Sequence, residues 1–235
     1  MAKPYIFENG VLKPYGVPPP PAGPVWKSGR PTVIHAIGDS LTRGQGAESR
    51  GGYRKPLWDL LTAAGKSFST TGANSVPGPG RWSGDGGWRI QELASAGIWN
   101  KTGLAIVDWV RMWPADVILL HIGTNNIAAQ QIPNSILAAR VGAMLDQVYG
   151  FAPTTHVFVA SPLVQLNPPW GGTAAYDAAL TAMVQGKIDA GRPYHIVRGM
   201  NSIAGAANYS DPIHLSVAGY DLMAQKWADA LLAAE

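Results

Sequence analysis

None of the 235 residues is cysteine. That excludes disulfides, thiolate metal sites and a cysteine nucleophile. Charge is scarce as well: 14% of residues carry it, the net charge is +3, and the longest basic run is Arg54-Lys55. No stripe exists for a nucleic-acid backbone. No apolar run reaches the length of a membrane span, and Met1-Ala2-Lys3-Pro4 opens no apolar signal core. The expectations are no nucleic-acid partner, no membrane partner, and a cytoplasmic protein or one exported with its signal removed. His, Asp and Glu nowhere cluster at ligand spacing, so no metal is expected. The glycines around Gly78-Pro79-Gly80 and from Gly84 to Gly87 lack both the Lys-Ser/Thr of a phosphate loop and the spacing of a dinucleotide site. No cofactor is expected either. Internal repeats are absent.

What is present is tryptophan, nine of them, on a chain poor in charge. This combination suits a neutral polar ligand such as a sugar, although most tryptophans are expected in the core. Residues 1–30 stand apart. Pro18-Pro19-Pro20-Pro21 must be extended and cannot pair in a sheet, so this part reads as an N-terminal arm. From Thr32 onward strands alternate with helices. Thr32–Ile37, Lys66–Thr71, Asp116–Ile122, His156–Ala160 and Tyr194–Val197 read as strands. Tyr53–Ala64, Trp88–Ala94, Leu104–Met112, Ser135–Tyr149 and Ala174–Ala190 read as helices, and a last helix follows Ser216, its N-cap. Its Val217, Tyr220, Ala224, Trp227 and Leu231 form one apolar stripe. Residues 72–87, rich in Gly, Pro and Ser, read as a long loop. The alternation implies a parallel sheet covered on both faces. Ligands bind such sheets beyond the carboxyl ends of the strands. Ser40 follows the first strand, Asn125 follows the Asp116–Ile122 strand, and Asp211 and His214 lie in the loop before the last helix.

These residues carry a coherent chemistry. A serine hydroxyl needs a base within hydrogen-bond reach to become a nucleophile. Histidine is the natural base near neutral pH, and a carboxylate fixes its tautomer. Asp211 and His214 are three apart, with Pro212 stiffening the turn between them. The tetrahedral oxyanion needs rigid donors. Gly123-Thr124-Asn125-Asn126 offers an amide side chain, and Gly86-Gly87 offers unobstructed backbone N–H groups. Asp39 reads as a structural hydrogen-bonding residue. His35 and His121, inside strand patterns, read as buried and hydrogen-bonded, whereas His156 and His195 carry no signal.

Gly38-Asp39-Ser40-Leu41, a glycine in the second loop, Gly123-Thr124-Asn125 after a middle strand, and Asp211-Pro212-Ile213-His214 occur in that order. The pattern resembles the SGNH (GDSL-type) hydrolases over about residues 32–233. Four ordered blocks are far more specific than any one alone. The resemblance implies an α/β fold in three layers (α/β/α), flavodoxin-like, around a central five-stranded parallel sheet, with residues 31–235 as the hydrolase domain. It implies Ser40 as nucleophile, His214 as base and Asp211 as orienting acid. Ser40 N–H, Gly87 N–H and the Asn125 side chain would be the oxyanion donors, with Gly86 as the alternative to Gly87.

Gly51-Gly52-Tyr53-Arg54 and Asp85-Gly86-Gly87-Trp88-Arg89-Ile90 further resemble carbohydrate esterases of family three, which remove acetyl groups from xylan and related glycans. The chain departs from the family at Asn126, where many members have Asp. That departure leaves the Asn125 role intact but bears on the loop around it. The implied activity is hydrolysis of short acyl esters, acetyl above all, on a small-molecule or glycan substrate. Trp82, Trp88 and Trp170, on loops near the expected mouth, are the candidate substrate-binding residues. The alternatives are a lipid esterase, lysophospholipase or thioesterase with the same three residues, and a non-catalytic glycan-binding protein.

Overall fold

The structure, a computed structural model, describes residues 5–8, 11–14, 20–95, 102–129, 132–163 and 173–234. Near the N-terminus β1 (Tyr5–Glu8) and β2 (Val11–Pro14) pair antiparallel. This hairpin precedes the proline run, and the sequence reading expects no strand there. β3 (Thr32–Gly38) then leads into a single-turn helix, α1 (Ser40–Arg43), followed by α2 (Arg54–Ala63), β4 (Phe68–Thr70) and β5 (Trp82–Gly84). Next come α3 (Ile90–Ser95), α4 (Ile106–Met112), β6 (Val117–His121) and α5 (Thr124–Ala129). The chain continues through α6 (Asn134–Phe151), β7 (His156–Ala160), α7 (Thr173–Asp189), β8 (Tyr194–Val197) and α8 (Val217–Leu232).

β6 and β7 bury every residue. Runs this short, rich in Val, Ile and Leu, cannot make a useful helix but fit a sheet covered on both faces. The strand order is β4-β3-β6-β7-β8, with all neighbours parallel. One core lies on the face of Ile34, Ala36, Leu119 and Phe158, against Leu57 and Leu61 of α2 and Tyr220 and Trp227 of α8. The second lies on the face of Ile37, Ile118, Leu120 and Val157, against Leu93, Trp109, Val141 and Leu180 from α3, α4, α6 and α7. These are the three layers expected.

Two details differ from the sequence reading. The sheet has six strands, not five, because β5 joins β3 as well. β4 pairs with Thr32–Ile34 and β5 with Ala36–Gly38, so the two share one edge of β3 in succession. Only three residues long and embedded in a glycine-rich stretch, β5 shows no alternation to detect. On α8 the buried stripe comprises Tyr220, Met223, Ala224, Trp227 and Leu231, while Val217 at the first helical position is 47% exposed. The packed surface begins one turn further in.

Residues 20–30 run along the edge of the sheet where the strands begin. Val25 is buried in the first core, and Trp26 Nε1 donates to Leu231 O at 3.2 Å. Gly23 O bonds His156 Nε2 at 2.7 Å. Arg30 grips Asp116 with both Nη atoms, at 2.6 and 2.7 Å. No helix among the described residues is long and apolar enough to cross a membrane.

The opposite edge depends on glycine. Gly84 has φ +136°, and a β-carbon there would stand 1.8 Å from Gly38 O. The two backbones meet where β3 and β5 end. Gly84→Ala should therefore cost roughly 3 kcal/mol or more, as overpacking combined with backbone strain does. Urea unfolding checks this, and a loss below about 1 kcal/mol would show that the strand ends can part freely.

Candidate active site

The strand ends are level. Gly38 pairs with both Gly84 and His121, His121 with Ala160, and Ala160 with Val197. The segments leaving β3, β5 and β6 therefore start from one carboxyl edge, where ligands bind open α/β sheets. Ser40 leaves β3 as the first residue of α1. Asp39 is the N-cap, its Oδ1 accepting from Leu41 N at 3.0 Å. Gly44 N and Gln45 N both close on Ser40 O, at 2.9 and 3.0 Å. As a first-turn residue, Ser40 keeps a backbone N–H with no partner inside the helix.

His214 comes to Ser40 from the loop before α8. Ser210 N donates to His214 O at 2.8 Å, and an antiparallel bridge joins Tyr209 to Leu215, so the loop is tied at its neck. Asp211 Oδ1 accepts the Ile213 and His214 amides, both at 2.8 Å. Its Oδ2 lies 2.7 Å from His214 Nδ1, and His214 Nε2 lies 2.9 Å from Ser40 Oγ. With Nδ1–H donated to the carboxylate, Nε2 is left to accept the serine proton. Burial works to raise the Asp211 carboxyl, but the amide and imidazole donors of His214 and Ile213 outweigh it and hold it below the usual carboxylate range. Ser40 itself is 3% exposed.

The oxyanion candidates gather on the same edge. Asn125, in α5, gives one Nδ2 hydrogen to Trp88 O at 2.8 Å, which leaves the second available. Gly86 N–H is already spent on Asp85 Oδ1 at 2.7 Å. Gly87 N–H makes no hydrogen bond among the described residues. Of the two glycines, then, Gly87 holds the open donor. Gly86 nevertheless lies close: a β-carbon there would stand 3.8 Å from Ser40 Cβ, 3.8 Å from Arg43 Nη1 and 3.9 Å from Gln45 Oε1. Arg43 and Asp85 pair at 3.6 Å across this rim, both partly exposed.

The expectation of tryptophans at the mouth fails for two of the three. Trp82 and Trp88 are each 2% exposed. Trp82 is a β5 residue packed into the first core, and Trp88 stacks on Trp109 with centroids 5.0 Å apart. A glycine-rich stretch conceals both positions from a pattern reading. Trp170 lies outside the described residues. His35 is buried and bonded to Ser83 Oγ at 2.7 Å, as expected. His121 is buried, but neither ring nitrogen has a hydrogen-bond partner among the described residues.

Asn126 is a residue whose role the sequence reading missed. It is 4% exposed; its Oδ1 accepts from Ile90 N at 2.8 Å and its Nδ2 donates to Gln91 Oε1 at 3.0 Å. It thus caps the start of α3 from across the sheet edge. The only signal was its departure from the family pattern.

Comparison with known proteins follows the same line. The model of the GDSL-like lipase/acylhydrolase family matches residues 36–222. A multidomain esterase of Ruminococcus flavefaciens is 26% identical over 233 residues, which is 90% of this chain and 30% of that protein. The chain thus spans under a third of that relative's length. Among solved structures, a family 3 carbohydrate esterase of Clostridium thermocellum matches with a TM-score of 0.71 and 28% identity, over 87% of this chain and 96% of the other. A carbohydrate esterase family 3 structure from Talaromyces cellulolyticus superposes with a TM-score of 0.68 at 20% identity, over 86% of this chain and 97% of that one, which bears on the fold alone.

Beneath the turn that carries Ser40 lies a buried titratable pair. His121 Nδ1 stands 3.9 Å from Asp39 Oδ1, both side chains fully buried. Burial pushes His121 down to about 4, so it is neutral near pH 7 and the two form no ion pair. Burial also raises the Asp39 carboxyl from 3.8 to about 7, against hydrogen bonds from Leu41 N and Thr124. Between those two values the folded protein keeps a proton that the unfolded chain has released. Folding stability therefore falls as pH rises through this window and levels off above it. Asp39→Asn removes that slope. Melting temperatures of the variant and the wild type should draw together or cross in the variant's favour between about pH 4 and about pH 7. A difference that stays flat across this range would mean Asp39 titrates as it does in the unfolded chain.

Proposed function

The chain belongs to the GDSL-like lipase/acylhydrolase family, a family of carboxylic ester hydrolases, and from that premise we propose that it removes acetyl groups from a carbohydrate through Ser40, His214 and Asp211. The observation that carries this reading is the unbroken chain of hydrogen bonds from Ser40 Oγ to His214 Nε2 at 2.9 Å and from His214 Nδ1 to Asp211 Oδ2 at 2.7 Å.

Ser40 Oγ attacks the ester carbonyl carbon as its proton passes to His214 Nε2. Asp211 stabilises the imidazolium that forms. The oxyanion is held by Ser40 N–H, Gly87 N–H and the free Asn125 Nδ2 hydrogen. When the tetrahedral centre collapses, the sugar oxygen departs with the proton from Nε2 and leaves acetyl-Ser40. Water then attacks the acyl carbonyl, giving its proton to Nε2. Ser40 leaves, recovers that proton, and acetate is released. No step calls for a cofactor or a metal.

Two observations favour a short acyl group on a sugar. The solved structure sharing 28% identity is a family 3 carbohydrate esterase. The rim beside Ser40 carries Arg43, Gln45 and Asp85, groups suited to hydroxyls rather than to an alkyl chain. Nitrophenyl esters of increasing chain length, alongside acetylated xylan, test the substrate. Acetate should be hydrolysed fastest and xylan deacetylated; a preference for nitrophenyl octanoate would favour a lipid esterase instead.

The residues can be tested one at a time. Ser40→Ala should lower kcat by roughly 10⁴-fold or more, and equal rates in variant and wild type would defeat the serine mechanism. Asn125→Ala should cost about 10²–10³ in kcat, the loss typical of one oxyanion donor. Unaltered kcat in that variant would remove Asn125 from the oxyanion site.

A further inference from the structure

Arg54 opens α2 with a side chain that is fully buried. No carboxylate among the described residues lies in ion-pair range of it. A guanidinium has five N–H donors, and here each meets a backbone carbonyl. Nε donates to Thr42 O at 3.0 Å. Nη1 donates to Pro79 O at 3.1 Å and Gly80 O at 3.0 Å. Nη2 donates to Arg43 O at 3.4 Å and to Pro77 O. The group lies over the Trp82 ring, 5.1 Å from its centroid, and a β-carbon on Gly51 would stand 2.5 Å from Nη2.

Two of these carbonyls end α1, and the other three belong to the segment Pro77–Gly80. A charge buried without a counter-ion is expensive to desolvate. If filling space were the only requirement, an apolar side chain would do it better. Arg54 does what an apolar side chain cannot: it joins two separate backbones at fixed distance. Its charge also complements the partial negative end of α1, while Asp39 stands at the other end. Burial draws the guanidinium down to about 10, which leaves it charged at neutral pH.

We propose that Arg54 is a positioning residue for the reaction at Ser40, holding the C-terminal carbonyls of α1 so that Ser40 Oγ stays aimed at His214 Nε2. The inference rests on Ser40 being the nucleophile. Lysine cannot replace it, because a compact ammonium with three donors cannot span five carbonyls.

The test measures Arg54→Lys against wild type in two ways: by the rate at which a fluorophosphonate labels Ser40, and by kcat and KM on nitrophenyl acetate. Folding of the variant is checked by circular dichroism. Labelling and kcat should both fall roughly tenfold or more, as a misplaced reacting group requires, with KM changed far less. A folded Arg54→Lys that takes label and turns over at wild-type rates overturns the inference and leaves the triad standing. A wild type in which Ser40 takes no label overturns the triad reading, and this inference with it. Should Arg54→Lys not fold, hydrogen exchange on the wild type decides. The Gly44 and Gln45 amides, bonded to Ser40 O, should exchange as slowly as those of β3. Exchange at the rate of exposed loops overturns the inference.

Discussion

Four residues cannot sustain a helix in water, because the first hydrogen-bonded turn costs more order than it returns. Yet Ser40 sits on such a turn, and the proposed chemistry needs its side chain aimed to a fraction of an ångström. Every constraint on α1 must therefore come from outside it. At the front are the strand end at Gly38 and the Asp39 cap. At the back are the Arg54 donors and the Tyr53 hydroxyl, 3.3 Å from Thr42 Oγ1. Behind both stands the first core, in which β3 packs against α2. The site is rigid because its surroundings are.

The side proposed to hold the oxyanion follows the same logic with neutral groups. Two consecutive asparagines leave the end of β6 for different tasks. Asn125 spends one hydrogen on Trp88 O, and Asn126 spends its amide on α3. The loop carrying Gly87 and the helix after it are thereby tied to β6, and the Trp88–Trp109 stack pins the segment from below. Buried polar side chains that satisfy backbone groups in neighbouring segments give positional specificity that apolar packing does not.

How much of this was legible in the sequence depends on the kind of interaction. β6 and β7 announce themselves as short apolar runs, and their alternation with amphipathic helices fixes the layered parallel sheet. Ser40 and Asn125 stand out as candidates because they fall just past strands, Asp211 and His214 because they share the loop before the last helix, and all four because few unrelated chains carry them in that order. β5 was not legible: its pairing is backbone to backbone, and glycine leaves no pattern. Trp82 and Trp88 were misread for a related reason, since a glycine-rich surrounding resembles an exposed loop. The role of Arg54 could not be read because its partners are carbonyls, which every residue has. His121 was half legible, its burial following from the strand and its lack of partners from the packing around it.

The segment at residues 20–30 bears on where such a chain can be cut. The family match begins at residue 36, inside β3, and a boundary drawn there would remove the first half of that strand. One drawn just before Thr32 would keep the strand but strip Val25 from the core and leave Leu231 O, His156 and Asp116 without Trp26, Gly23 and Arg30. Tolerance to truncation follows burial and bonding rather than position in sequence. The contacts that anchor this fold therefore reach back to Gly23, upstream of its recognisable motifs.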